Sequence, residues 1–258
     1  MKELFNTIFF NPLYNALIAI IDVVPYADVG IAVILLTVIV KLILFPLSIK
    51  AVRTQVEMKI IQEPMEELKK KYKDDREKLG RAMLELYKEH KINPFSGFLL
   101  ILIQIPVILA LYWVFLRGGL PDINFDILYS FIPVPETVKM NFLGLINIHE
   151  PHSILLAVTA SVSQFFQARL SFPKAEPTKE GEAPSLKNDM MKGMSFQVKY
   201  ILPIFIFGIS YTLVSAVALY WTVSNLFAIG QELYVRAHVR KPGENKVVVK
   251  KEDDEDED

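Results

Sequence analysis

Residues 30–49, GIAVILLTVIVKLILFPLSI, limit what this chain can fold into more than any other stretch. About 20 mostly apolar residues at roughly 1.5 Å each match a hydrocarbon core of about 30 Å, so the stretch reads as a membrane-spanning helix. It carries one charge, Lys41. A lysine within such a helix costs about 2.5–3.5 kcal/mol on insertion scales, and two arrangements could offset that. The side chain could snorkel to the headgroups, or it could face a polar cavity among helices. Ile49 is about 12 Å further along the helix, and helical side chains lean the other way, toward the N-terminus. Pro46 also disturbs the helix locally. These points favour the cavity, with snorkelling as the alternative.

The rest of the chain fits a membrane protein with its charges gathered between spans. It is 52% hydrophobic over 258 residues, yet its net charge is only −1. With no cysteine there is no disulfide, thiol nucleophile or lipid-anchored cysteine. The four histidines are scattered without metal-ligand spacing. No phosphate-binding glycine loop, nucleophile elbow or zinc-protease motif is present. The sequence therefore points away from an enzyme, and neither a cofactor nor a metal is expected.

In residues 1–27, Asn11, Asn15 and Asp22 fall on one side of a helix, opposite Leu13, Leu17, Ile20 and Val24. That pattern predicts an amphipathic helix lying at the outer interface, with a full span as the alternative. Neither a basic leader nor a small-residue cleavage site marks a signal peptide. The first span follows over 28–50. Residues 51–92 are charged, and their apolar positions recur at helical spacing. They predict a hairpin of helices over about 51–72 and 75–91, with Asp74 and Glu77 as a capping box. Either a solvated linker or a docking arm fits this pattern. Spans follow at 93–117, 152–171, 196–212 and 213–235. Between them lie a loop at 118–151 and a Pro/Glu/Lys-rich loop at 172–195, expected to be mobile. The tail, 236–258, ends in the like-charge run KKEDDEDED and is expected to be disordered.

Basic residues set the orientation. Residues 50–91 hold twelve Lys or Arg, 169–199 six and 236–258 six, against two in 117–150 and Lys2 alone in the first forty. Five spans result, with the N-terminus outside and the C-terminus in the cytoplasm, which puts Lys41 in the inner half of the bilayer. Gln104, Gln164, Gln167, Thr222, Ser224 and Asn225 are polar positions on three other spans. Singly, each is inter-helix glue. Together with an unpaired cation they suggest a wet cavity. The four later spans are read as holding no Asp or Glu, so no intramembrane carboxylate is expected to pair Lys41; that weakens an ion-coupled transporter reading, and no inverted repeat is visible.

Three segments then carry a resemblance: ILLTVIVKLILFPLSIKA, KYKDDREKLGRAMLELYKEHKINPFSGFLLILIQIPVILALYW and ALYWTVSNLFAIGQEL. In this order, across about residues 4–238, they closely resemble the YidC/Oxa/Alb family of membrane protein insertases. The resemblance implies an all-α membrane protein whose five transmembrane helices surround a hydrophilic groove. That groove would open to the cytoplasm and lipid and close on the outer side, with a cytoplasmic helical hairpin alongside. Lys41 stands where the family usually has arginine, so the charge is kept and the bidentate fork is lost.

The resemblance places Gln167 and Trp221 along the groove, with Tyr112, Tyr220 and Gln104 on neighbouring helices; Gln164 and Asn225 complete the expected groove set. The hairpin, with Glu63, Lys70, Asp74, Asp75 and Arg76, resembles the arm that receives substrates and targeting partners. Implied partners are nascent membrane proteins and the lipid bilayer of a bacterial inner membrane. The ribosome, the signal recognition particle with its receptor and the Sec translocon are further candidates, with no specific nucleic acid. The chain departs from the family in several respects: it is expected to be a short form without the large outer domain, and it has no lipoprotein cysteine. The turn reads LVSA where Pro-Ser-Gly is common, and the acidic tail argues against tail-mediated ribosome docking. A small-solute transporter and a non-translocating assembly scaffold stay open as other functional classes.

Overall fold

The structure, a computed structural model, describes residues 2–25, 28–73, 75–90, 96–171 and 196–238. The expected mobile loop at 172–195, most of the tail and Asp74 lie outside the described residues.

The chain is predominantly helical. It begins with α1 (Lys2–Phe5), a π-helical turn (Asn6–Phe10) and α2 (Asn11–Val23). A second π turn (Gln197–Ile201) precedes α9 (Leu202–Thr212). Each π turn runs into a proline at the start of the next helix, Pro12 or Pro203. Proline has no N–H for the helical ladder, and the wider turn absorbs the missing bond. Among the described residues, Glu3–Val23 is the one helix long and apolar enough to cross a bilayer by itself.

Asp28 opens α3 (Val29–Ile43) by accepting from the Ile31 N–H at 2.8 Å. The helix expected to continue to residue 49 stops at Leu44. There α4 (Phe45–Ile60) departs at a 69° bend. Pro46 explains the break: within a continuous helix its ring would meet the Leu42 carbonyl, whereas the first turn of a new helix tolerates it. Beyond the bend α4 lies against the far end of α10 (Ser215–His238), where Val52 and Val56 meet Val235.

The charged arm is therefore not a simple pair of helices starting at residue 51. Its first limb is α4 continued, interrupted at Ile61, then α5 (Gln62–Lys71). The second limb is α6 (Arg76–Glu89). Ile61 and Leu86 are buried between the limbs with Met65, Leu68 and Tyr87 around them, and that burial raises the Tyr87 hydroxyl pKa. The cap of α6 is Asp75, one residue later than the expected Asp74, and it accepts from the Lys78 N–H at 3.0 Å. Glu77 does not close a box. It pairs instead with Arg81 at 2.6 Å, one turn on.

The main core joins α2, α3, α7 (Ser96–Arg117) and α10 through Tyr14, Leu17, Val33, Val114 and Val217. The remaining helix, α8 (Ile154–Ser171), packs chiefly against α9 and α10. Over one end of the bundle lies the 118–151 segment, which contains a short antiparallel hairpin, β1 (Asn141–Phe142) and β2 (Ile146–Asn147). Its backbone is tied to helix ends. The Val29 N–H donates to the Lys139 carbonyl at 2.9 Å, the Leu143 N–H to Asp28 Oδ2 at 2.9 Å, and the Ala216 N–H to the Ile148 carbonyl at 3.0 Å.

Asn15, expected on a water-facing stripe of the first helix, is only 1% exposed. Its amide donates to the Ile127 carbonyl and accepts from the Tyr129 N–H. A buried amide needs such partners, and the loop provides them where water was expected.

Candidate functional site

Three helices bring a set of polar side chains to one place inside the bundle. Lys41 is in the last turn of α3, Gln104 is two residues before Pro106 in α7, and Tyr220 and Ser224 lie one turn apart on α10. Lys41 Nζ donates to Gln104 Oε1 at 2.9 Å. Gln104 Nε2 donates in turn to Tyr220 Oη at 2.5 Å and to Ser224 Oγ at 3.2 Å. An ammonium can only donate, so Lys41 fixes which way the glutamine amide faces, and the amide nitrogen is left to hold α10.

Among the described residues the ion pairs are Arg53–Glu57, Lys78–Asp75, Arg81–Glu77 and Arg236–Glu232, and none includes Lys41. The partner described for its positive charge is a neutral amide. Burying a cation that way is costly unless something else solvates or neutralises it.

A second polar run joins α8 to α10. Asn225 Nδ2 donates to Ser163 Oγ at 3.1 Å. Gln164 Nε2 approaches Gln167 Oε1 at 3.3 Å, and Gln167 Nε2 donates to Ser171 Oγ at 3.0 Å. The Ser171 hydroxyl donates to Glu232. Glu232 is 2% exposed and pairs with Arg236 at 2.7 Å, while Arg236 Nη2 also donates to the Leu170 carbonyl at the end of α8.

This corrects the expectation that 213–235 holds no carboxylate. Glu232 lies within it and is buried, although it serves Ser171 and Arg236, not Lys41. The Glu232–Arg236 spacing of four residues was the available sequence signal. Ser48, which accepts from Gln231 Nε2 at 2.7 Å, was likewise not singled out.

Lys41, Gln104 and Tyr220 are thus joined directly, while Gln164, Gln167 and Asn225 belong to the α8–α10 run. Tyr112 and Trp221 are half-buried and pack on the main apolar core without joining either network. In the arm, Lys70 and Arg76 are exposed and Asp75 is the helix cap. The Glu63 side chain and all of Asp74 lie outside what is described.

The model of the family described as "60Kd inner membrane protein" matches residues 20–242. Proteins named membrane protein insertase YidC from Francisella tularensis subsp. novicida (strain U112) and subsp. tularensis (strain WY96-3418) are each 32% identical to the chain over 209 residues. The matched region is 81% of this chain and 32% of each relative, so the chain spans about a third of the length of the curated relatives it matches. A family match over most of the chain, together with relatives at this identity, establishes that the chain belongs to the 60Kd inner membrane protein family, that of the YidC/Oxa/Alb proteins.

Proposed function

We propose that the protein is a membrane protein insertase and chaperone that receives the hydrophilic segment of a nascent membrane protein beside Lys41. The observation that carries this reading is a cation held between helices by Gln104, with no carboxylate pairing it among the described residues. An acidic or hydrated peptide segment would complete that charge.

In this reading the chain crosses the membrane five times, N-terminus outside and C-terminus in the cytoplasm, and Lys41 sits toward the inner leaflet. The 15 residues of α3 measure about 22 Å, well short of a core of about 30 Å. The bend at Leu44 would therefore shorten the dry path on the cytoplasmic side. The 118–151 segment would close the outer side. An incoming tail would pair with Lys41, whose position Gln104 holds, and would be spared part of the desolvation cost of crossing hydrocarbon. Tyr220 and Ser224 anchor the amide nitrogen on α10. The substrate's apolar helix would meanwhile leave along α8 and α10 into lipid, driven by burial of its own apolar surface.

The α4–α6 arm, with Lys70, Asp75 and Arg76, would receive substrates or targeting partners such as the ribosome, the signal recognition particle and the Sec translocon. An ion-coupled transporter is less well supported. Glu232 is already bonded to Ser171 and Arg236, two helical turns from Ser224 along α10. The test is insertion of a short single-span protein into vesicles with and without the purified chain. Protection of its outer tail from protease only in loaded vesicles is expected. Equal protection in empty vesicles would overturn the reading.

A further inference from the structure

The hairpin of β1 and β2 has a tip that water alone does not explain. Leu143 and Leu145 are 63% and 83% exposed, and no charged residue falls between Met140 and Asn147. Leu143 has φ 51°, a left-handed conformation that glycine or asparagine adopts far more easily. The tip is nevertheless fixed, because the Leu143 N–H is bound by the Asp28 carboxylate that also caps α3. A leucine held in that conformation implies that its side chain matters.

Beneath the tip is an open cleft of about 280 Å³, walled by Leu145 and Ile146 of the hairpin, Leu155 and Leu156 of α8, and Leu219 of α10. Its polar side chains, Thr159 and Thr222, face each other at 3.3 Å and bond the Leu156 and Ala218 carbonyls of their own helices. Nothing in the cleft asks for a hydrogen bond or a counter-charge. Its α8 wall continues into the exposed apolar side chains Val158, Val162 and Phe166, a face that a membrane protein presents to hydrocarbon.

We infer that this cleft seats the acyl chain of an outer-leaflet phospholipid, with Leu143 and Leu145 dipping into the same leaflet as a wedge. The cleft lies at the starts of α8 and α10, with the hairpin bounding it there. A hydrocarbon chain can end in such a place, whereas a substrate helix continuing to the outer side cannot. The inference rests on the orientation proposed above.

The experiment uses the full chain in vesicles of phosphatidylethanolamine and phosphatidylglycerol that contain a phospholipid with a diazirine near the end of one acyl chain. Photolabelled peptides are mapped in the wild type, in Leu145→Asp and in the cleft-filling Thr159→Phe. Expected is labelling at residues 142–146 and 155–159 above that at Phe131, which is about as exposed as Leu145. It should fall several-fold in both variants while labelling at Val162 and Phe166 holds. Hairpin labelling no greater than at Phe131, or unchanged by both variants, overturns the lipid site. So does preferential crosslinking of those residues to a diazirine-bearing substrate helix. Absence of label at Val162 and Phe166 as well would overturn the membrane orientation itself.

Discussion

Lys41 and Gln104, 63 residues apart in the chain, meet at 2.9 Å as ammonium and amide oxygen, and the other end of the same amide bonds Tyr220 and Ser224. A glutamine positions a cation without cancelling it. A carboxylate in that place would hold the lysine more tightly and cancel its charge.

Gln104→Glu therefore separates positioning from neutralisation. The ion pair it creates should retain the fold and lower insertion of acidic-tailed substrates about as far as Lys41→Ala does. Gln104→Leu, which frees the ammonium, should give a milder, several-fold loss. Insertion yield in loaded vesicles, compared across the three variants, checks the order.

Gly30 lies under the β1–β2 hairpin, where an added Cβ would be 2.3 Å from the Phe142 ring. Gly30→Val should lift the hairpin and destabilise the protein by about 1–3 kcal/mol, the usual range for overpacking. A lower unfolding temperature in detergent, with faster protease cleavage in the 118–151 segment, is the expected result.

Glu232 ties α10 to α8 through Ser171 and, with Arg236, to the Leu170 carbonyl. Glu232→Leu removes the acceptor of the Ser171 hydroxyl and the carboxylate paired with Arg236, which keeps the Leu170 carbonyl, and should cost about 1–3 kcal/mol. Glu232→Gln, which keeps an acceptor for Ser171, should cost less. Thermal unfolding of both in the same detergent makes the comparison.

Asp75 gives the arm a pH dependence. The Lys78 N–H holds its carboxyl pKa below the ordinary value. A depressed folded-state pKa means that the cap contributes fully above the unfolded pKa and is lost as the pH falls through the folded one. Hydrogen exchange at the Lys78 amide should accelerate over that acidic window, beyond the intrinsic trend. Asp75→Asn, a cap without a charge, should flatten the response.

How far the sequence could be read depended on whether a feature was local or set by packing. The helical stretch around Lys41 was legible because twenty apolar residues with one charge leave few alternatives. The break at Leu44 was not. Pro46 announces a disturbance, but whether the helix kinks or restarts depends on the seat that Val52 and Val56 find on α10. Asn15 was misread as facing water because a helical wheel knows nothing of a loop more than a hundred residues away that supplies its partners. The hairpin of β1 and β2 was missed because two-residue strands carry no alternation. Of the polar residues, Lys41, Gln104 and Tyr220 were singled out separately. Their junction required the crossing of α3, α7 and α10, which no spacing within one segment encodes. Glu232, overlooked within an apolar span, was marked only by its distance from Arg236.

The most direct test varies the charge on both sides of the proposed contact. Two single-span substrates, identical except for an acidic or a neutral outer tail, are inserted into vesicles carrying the wild type, Lys41→Ala or Lys41→Arg. With a charge-assisted contact of about 1.5–3 kcal/mol at stake, Lys41→Ala should lose about tenfold or more of acidic-tail insertion and much less of the neutral-tail insertion. Lys41→Arg should retain both. Wild-type insertion of the acidic substrate by Lys41→Ala would contradict Lys41 as the receiving group.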